Sequence, residues 1–193
     1  TIFGGHAGNI TIQGENTSNE ASASGGHGAN ISGTTEINGN TIIKGGNGGI
    51  IAVANGNLSV DGGNGLNQTG GSLTINSGEF QGGGVGAVGL LNGTTSFLPG
   101  VGAKITDNAT IAGGKFYAGG NRILHNRAIW LDGSSSVEIN GTADIQGDIY
   151  ISGDNNDIQL LKGNASGDII IEDGVSNLSV SNGFNFSGKI IQN

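Results

Sequence analysis

The sequence predicts an all-β chain wound as a right-handed parallel β-helix, or β-solenoid, of about nine coils of roughly 20 residues. The first observation behind this prediction is a glycine-rich segment, GGHAGNI at residues 4–10, that returns along the chain. Successive copies lie 21, 20, 17 and 20 residues apart and begin at Gly25, Gly45, Gly62 and Gly82. A nearly fixed period of this length is typical of stacked structural repeats.

The second observation is a short alternating run of apolar and polar residues between the glycine-rich copies. NITI at 9–12, NLSV at 57–60 and SLTI at 72–75 all alternate in this way. A period of two predicts strands with one buried face, and Gly, Asn and Asp between them predict tight turns. Each strand is expected to pair in parallel with its equivalent one coil on, and parallel crossovers are right-handed by strong preference.

Along the chain we predict one solenoid domain over residues 1–193, with regular coils at 1–83 and 136–193. Residues 84–135 are predicted to be irregular, with longer loops within 85–130, near 85–104 and 119–130. One echo crosses this block: residues 74–83 resemble 110–119, an offset of 36 that we interpret as close to two coils. Regularity returns where Gly147, Gly167 and Gly188 open similar strands, in steps of 20 and 21.

Composition excludes several classes of function. The net charge is −8 and the chain has only seven Lys and Arg, which argues against nucleic acid and against an anionic membrane surface. There is no cysteine, so a disulfide scaffold is excluded. No apolar run reaches the length of a membrane-spanning helix, and we expect no membrane insertion of this segment. The first and last residues fall inside repeats, which favours either a piece of a longer solenoid or end-to-end stacking.

Two pairs of side chains were considered as sites of chemistry. Asp148 and Asp168 occupy equivalent places and are predicted to lie one coil apart, as a solvated column that Lys189 continues. His6 and His27 are predicted to stack in register as a ladder of hydrogen-bonding side chains. Neither pair has the companions that a metal or a catalytic site requires, so we expect no catalytic residue, metal or cofactor.

A basic cluster with a tryptophan is the candidate contact surface for a ligand or partner. Four of the seven basic residues and the only tryptophan fall in the irregular block. Such a loop would suit a sugar or an anion, and the alternative is an insertion that folds over the solenoid and buries the indole. The residues of this predicted surface are Lys104, Lys115, Arg122, His125, Arg127 and Trp130.

The glycine-rich turns, strings such as SLTINSGEF at 72–80 and the cysteine-free Gly/Asn/Thr/Ser composition resemble the passenger domains of bacterial autotransporters and related surface adhesins. The resemblance covers most of the chain outside 84–135. It implies a right-handed β-helix displayed outside the cell, at the cell surface or secreted, which adheres, self-associates or forms coats. It carries no catalytic residues over to this sequence.

We therefore expect an extracellular structural or adhesive β-solenoid that mediates surface attachment or self-association, as a passenger segment or a filament subunit. Its partner would be a second copy, end to end or side by side, or a host or cell-surface ligand. One alternative is a carbohydrate-active β-helix enzyme, a polysaccharide lyase or hydrolase, for which Asp148, Asp168 and the block with Arg122 and Arg127 are the candidates. They are expected to lie apart along the axis. A second alternative is an ice-binding solenoid, which requires threonine columns that this sequence does not repeat.

Overall fold

A computed structural model of the chain describes residues 1–12, 19–120, 126–133, 136–154, 156–172 and 177–193. Within these ranges the chain is all β, and its strands form four parallel sheets. The predicted parallel β-solenoid is confirmed. The described residues contain no helix long and apolar enough to cross a membrane.

The strands are short, with two exceptions of eleven residues. In the first part of the chain they are β1 (Ile2–Phe3), β2 (Ile10–Ile12), β3 (Asn19–Ser24), β4 (Ala29–Ile31), β5 (Thr35–Ile37), β6 (Ile42–Lys44), β7 (Ile51–Asp61), β8 (Leu66–Gln68), β9 (Leu73–Ile75), β10 (Glu79–Gln81), β11 (Val88–Leu98) and β12 (Ala103–Ile105). In the second part they are β13 (Ala109–Ile111), β14 (Lys115–Tyr117), β15 (Arg127–Asp132), β16 (Ser136–Ile139), β17 (Asp144–Gln146), β18 (Asp148–Ser152), β19 (Asp157–Leu160), β20 (Gly163–Ala165), β21 (Ile169–Ile171), β22 (Asn177–Val180), β23 (Phe184–Phe186) and β24 (Ile190–Gln192).

Three of the sheets enclose the main core. Sheet A contains β1, β6, β10, β14, β17, β20 and β23; sheet C contains β4, β8, β12, β15, β18, β21 and β24; sheet D contains β5, β9, β13, β16, β19 and β22. Their apolar positions face inward and stack as ladders, as the alternation predicted. In sheet A the rings of Phe80 and Phe116 stack at 5.0 Å, one above the other. We call this three-sheet unit the main lobe.

The fourth sheet forms a smaller lobe of its own. Sheet B contains β2, β3, β7 and β11, and we call this unit lobe B. It holds a separate apolar cluster that includes Ile51, Leu58 and Val60. Each excursion leaves the main lobe after sheet A and returns before sheet C. The chain enters and leaves lobe B at the same place, so each of the eleven-residue strands β7 and β11 must double back. Gly56 and Gly93 lie at these bends, and both have a positive φ.

The two lobes join at a narrow waist made of glycine. The N–H of Gly46 donates to the carbonyl of Gly26 at 2.8 Å, and Gly63 donates to Gly46 at 2.8 Å. Gly83 then donates to Gly63 at 2.7 Å, so passages that enter and leave lobe B alternate in one column. A methyl group on Gly83 would overlap the carbonyl oxygen of Gly46. The repeated glycine is therefore required by close contact between backbones.

The glycine-rich repeat thus marks two crossings of the waist in each coil. The predicted number of coils is therefore corrected. Ile43 pairs with Phe80 in sheet A, and equivalent residues in this part of the chain lie 36 to 41 positions apart. Beyond lobe B the spacing is 26 to 29 in the first coil and then falls to 20 and 21. Sheets A and C have seven strands each, so the described chain passes these faces seven times and not nine.

Two further expectations for the irregular block are corrected. Thr74 pairs directly with Thr110, so the offset of 36 is one coil and not two. The stretch near 85–104 is not a loop, because β11 pairs with β7 over most of its length and β12 follows it. Of the loop predicted near 119–130, residues 121–125 lie outside the described residues, and its end belongs to β15.

Candidate functional site

The outer face of sheet C carries a column of large side chains. In β12 and β15 the apolar flanks are buried and the residue between them points outward. Register places Lys104 beside Trp130, and Trp130 beside Tyr150. Neighbouring parallel strands lie about 4.8 Å apart, so these side chains must pack on one another.

Each aromatic ring in this column is covered by a cation. The ammonium of Lys104 lies 3.9 Å from the centre of the Trp130 ring. The guanidinium of Arg127 lies 3.5 Å from the centre of the Tyr150 ring and 5.7 Å from that of Trp130. The two rings meet edge to face, with centres 6.1 Å apart. Such contacts add about 0.5–2 kcal/mol each beyond burial.

Polar groups close the cluster on its other side. The Trp130 indole N–H donates to Ser152 Oγ at 2.7 Å, and Ser152 Oγ donates to Asp132 Oδ1 at 3.1 Å. The Lys104 ammonium lies 2.7 Å from Asp132 Oδ2, with both side chains partly exposed. The positive charge of Lys104 is therefore already compensated.

Tyr150 is the most buried member of the cluster, at 7% exposure. Burial raises the pKa of its hydroxyl, and the nearby Glu172 carboxylate raises it further. The hydroxyl therefore stays protonated at neutral pH and donates its hydrogen bond to the Glu172 carboxylate. We call the cluster of Lys104, Arg127, Trp130, Asp132, Tyr150 and Ser152 the sheet C patch.

The structure brings together only part of the predicted contact surface. Lys104, Arg127 and Trp130 meet in the sheet C patch. Lys115 does not, because it lies in β14 of sheet A, in register with Glu79 and Asp144. Arg122 and His125 lie outside the described residues. The alternative of an insertion folded over the solenoid is not what β15 shows, since Trp130 stands half-buried on a regular strand.

Sequence reasoning missed Tyr150, Asp132 and Ser152. A signal for them existed: IWLD at 129–132 and IYIS at 149–152 have the same pattern, twenty residues apart. This alignment places Trp130 beside Tyr150 and Asp132 beside Ser152, as the structure does. The sequence prediction misses this alignment because it takes residues 84–135 to be irregular.

The Asp148 column is a structural ladder. Asp148 Oδ1 accepts the backbone N–H of Asp168 at 2.8 Å, and Asp168 Oδ1 accepts that of Lys189 at 2.7 Å. This confirms the predicted column. Burial raises the pKa of Asp148; the N–H of Asp168 and the charge of Arg127 oppose that shift. Arg127 pairs with Asp148 in register, so the expectation that they lie apart along the axis is wrong.

The two histidines belong to two separate ladders, so their predicted stacking on each other is wrong. His6 Nδ1 accepts the N–H of Asn47 at 2.9 Å, and His27 Nδ1 accepts that of Asn64 at 2.9 Å. Asn64 Oδ1 in turn accepts the N–H of Val101 at 3.2 Å. Burial, and then the charge of Lys104, lower the pKa of His27.

In both ladders a side-chain acceptor holds the backbone of the next coil. The described part of the chain has no group of three or more His, Asp or Glu side chains that would hold a metal ion.

No protein-family model matches this sequence, and neither a curated protein nor a solved structure is significantly similar to it.

Proposed function

We propose that this chain is an extracellular structural β-solenoid that mediates surface attachment, and that the sheet C patch is its contact surface for saccharide. The observation that carries the proposal is the patch itself. It groups a tryptophan, a tyrosine and paired charges on the outer face of a regular sheet. Tryptophan and tyrosine combine apolar area with a hydrogen-bonding group and are favoured where a surface binds a partner.

The architecture supports a role in presenting surface. Each coil repeats the pairing of the one before, so stability grows with the number of coils and the outer faces are held rigidly. A rigid strand positions contact groups better than a loop does. Attachment then requires no moving part, only side chains in fixed columns.

The charges favour a neutral ligand over an anion. Lys104 is paired with Asp132, and Arg127 lies against Tyr150 and opposite Asp148. An anion would have to compete with these carboxylates in a protein of net charge −8. Sugar hydroxyls can instead hydrogen-bond to both the cations and the carboxylates, while Trp130 supplies apolar contact.

The test is binding of the purified chain to a panel of neutral and acidic polysaccharides, measured by glycan array and calorimetry. Trp130→Ala is expected to weaken binding to neutral saccharides at least tenfold, about 1.4 kcal/mol. Trp130→Phe retains a ring and is expected to lose less. Lys115→Ala, an exposed position on sheet A, is the matched control and is expected to bind as the wild type does.

Two outcomes would contradict the proposal. One is no binding to any neutral saccharide by a chain that remains folded by circular dichroism. The other is binding that Trp130→Ala leaves unchanged. The same samples are checked for new reducing or unsaturated sugar ends, because their release would favour the alternative of a polysaccharide lyase or hydrolase.

A further inference from the structure

Lobe B ends in the middle of the chain, and its last strand has an edge that none of the described strands pairs with. β11 pairs with β7 on one side. Among the described residues no strand pairs with its other side, although sheet C continues beyond with β15, β18, β21 and β24. The edge belongs to the interior of the sequence and is formed by the return part of the strand, residues 94–98, after the bend at Gly93.

This edge lacks the usual protection against pairing. Natural edge strands carry charges, prolines or bulges that prevent strand addition. Residues 88–98 contain no charged residue, and the only proline of the chain, Pro99, comes after the last residue of the strand. At the end of the strand Leu98 is 45% exposed, and Phe97 is half-buried against the core of lobe B. The edge therefore combines free backbone groups with exposed apolar area.

The direction of the free backbone groups follows from the pairing with β7. The carbonyl of Leu98 accepts the N–H of Gly62, so Leu98 faces β7. Backbone groups alternate along a strand, which places the N–H and C=O of Thr95 and Phe97 on the free edge. Ser96 lies between them with an exposed side chain on the wall of the lobe.

We propose that two copies of this chain pair through residues 94–98 as antiparallel strands about a two-fold axis at Ser96. In that arrangement Thr95 and Phe97 of one copy exchange hydrogen bonds with Phe97 and Thr95 of the other, and the two Ser96 side chains face each other. A two-fold contact is self-complementary, so one free edge supplies both halves of the interface.

A second copy is the occupant because of charge and shape. Two chains of net charge −8 repel each other, and this uncharged edge is a place where they meet without like charges facing. Stacking a copy by translation would be blocked by the main lobe, which continues past β11. A two-fold axis instead places the two main lobes on opposite sides of the paired lobes. This pairing is a case of the self-association expected from the sequence, and it does not depend on saccharide binding.

The experiment is sedimentation velocity of the full chain across a range of concentrations. The wild type is expected to form a concentration-dependent dimer. Ser96→Lys and Ser96→Glu place like charges opposite each other and are each expected to weaken the dimer about tenfold or more. An equal mixture of the two variants is expected to restore it. Ser22→Lys is the control, because Ser22 lies in the same column two strands away from the free edge.

Amide hydrogen exchange gives a second measurement that does not rely on a variant. The N–H groups of Thr95 and Phe97 are expected to become protected as the wild-type concentration rises. A wild type that stays monomeric, charged variants that dimerise as well as the wild type, or exchange at Thr95 and Phe97 that ignores concentration would each overturn the proposal. Saccharide binding is read separately, so failure of one proposal is distinguishable from failure of the other.

Discussion

The coils of the N-terminal part have two lobes, whereas those of the C-terminal part have one. In the first, equivalent residues such as His27 and Asn64 lie 37 positions apart. In the second, Asp148 and Asp168 lie only 20 apart. Both kinds of coil share sheets A, C and D without interruption. The main lobe therefore does not depend on lobe B, which is an excursion inserted at one corner.

The corner between sheets A and C shows which residues the excursion into lobe B requires. Where lobe B is present, two backbones pass each other at the waist and only glycine fits. Where it is absent, each coil still has a glycine at this corner, and the residue after it, Asp148 or Asp168, holds the next coil through its carboxylate. Apolar burial and side-chain ladders stabilise both kinds of coil, and close backbone contact between glycines at the waist is added where lobe B is present. Four substitutions test this contrast, from the largest expected effect to the smallest.

The largest effect is expected in the one-lobed coils. Ile169→Asp places a charge in the fully buried inner column of sheet C and is expected to cost about 4 kcal/mol or more. Thermal unfolding followed by circular dichroism measures the loss. Ile170→Asp is the control, because Ile170 is the neighbouring residue and points outward. Equal losses for both substitutions would show that the register of β21 is wrong.

The waist is tested by adding a single methyl group. Gly83→Ala would overlap the carbonyl of Gly46 and is expected to cost about 3 kcal/mol. Gly5→Ala is the matched control from the same repeated motif, because a methyl group there meets no neighbour within 4 Å. Melting temperatures of the two variants are compared. If Gly83→Ala and Gly5→Ala have the same melting temperature, the backbones of Gly83 and Gly46 do not pass as closely as described.

A pH dependence is expected in the two-lobed coils. The folded-state pKa of His27 lies below its ordinary 6.5, so the unfolded chain binds the proton more readily. The hydrogen bond from the N–H of Asn64 to His27 therefore contributes to the stability of the fold above pH 6.5. This contribution is lost as the pH falls through the folded-state pKa, because protonated Nδ1 cannot accept the N–H. The loss is expected to be less than about 1 kcal/mol, because the His27 side chain is exposed and solvent weakens the effect of its charge.

His27→Asn provides the comparison, since Asn64 occupies the equivalent place one coil on. It retains an acceptor and is expected to remove this part of the pH dependence. Urea unfolding between pH 7.5 and pH 5 is the measurement. An unchanged pH profile in His27→Asn would assign the dependence to other groups.

The smallest effect is expected at the ladder of the one-lobed coils. The folded-state pKa of Asp148 is raised. Asp148 therefore contributes most to the stability of the fold at a pH below the ordinary carboxyl pKa, and this contribution is lost as the pH rises through the folded-state pKa. Asp148→Asn retains an acceptor for the N–H of Asp168 and removes the charge. It is expected to match or exceed wild-type stability at pH 7 by about 0.5 kcal/mol. Urea unfolding at pH 7 and pH 4 measures it, with exposed Asp157→Asn as the control. A clear loss of stability at pH 7 would mean that the charge itself is needed.

Much of the fold was predictable because strands and cores leave local signals. The alternation in 57–60 and 72–75 identified strands and inward faces correctly, and the steps between Gly147, Gly167 and Gly188 gave the true coil length of the C-terminal part. Of the proposed contact surface, Lys104, Arg127 and Trp130 were predicted from their clustering in the sequence. Tyr150 was missed, because its neighbour Trp130 lies one coil away and that block was treated as irregular.

The sequence by itself determined that this chain is a solenoid of short parallel strands, because the period-two burial and the glycine turns are local properties that repeat. Only the tertiary structure decided what one repeat is. A step of twenty residues is half a coil where Gly46 and Gly63 cross at the waist, and a whole coil where Asp148 meets Asp168. The glycine segments look alike in the sequence whichever neighbour they contact. Their partners are set by packing between coils, and among the described strands that packing pairs β11 on one side only.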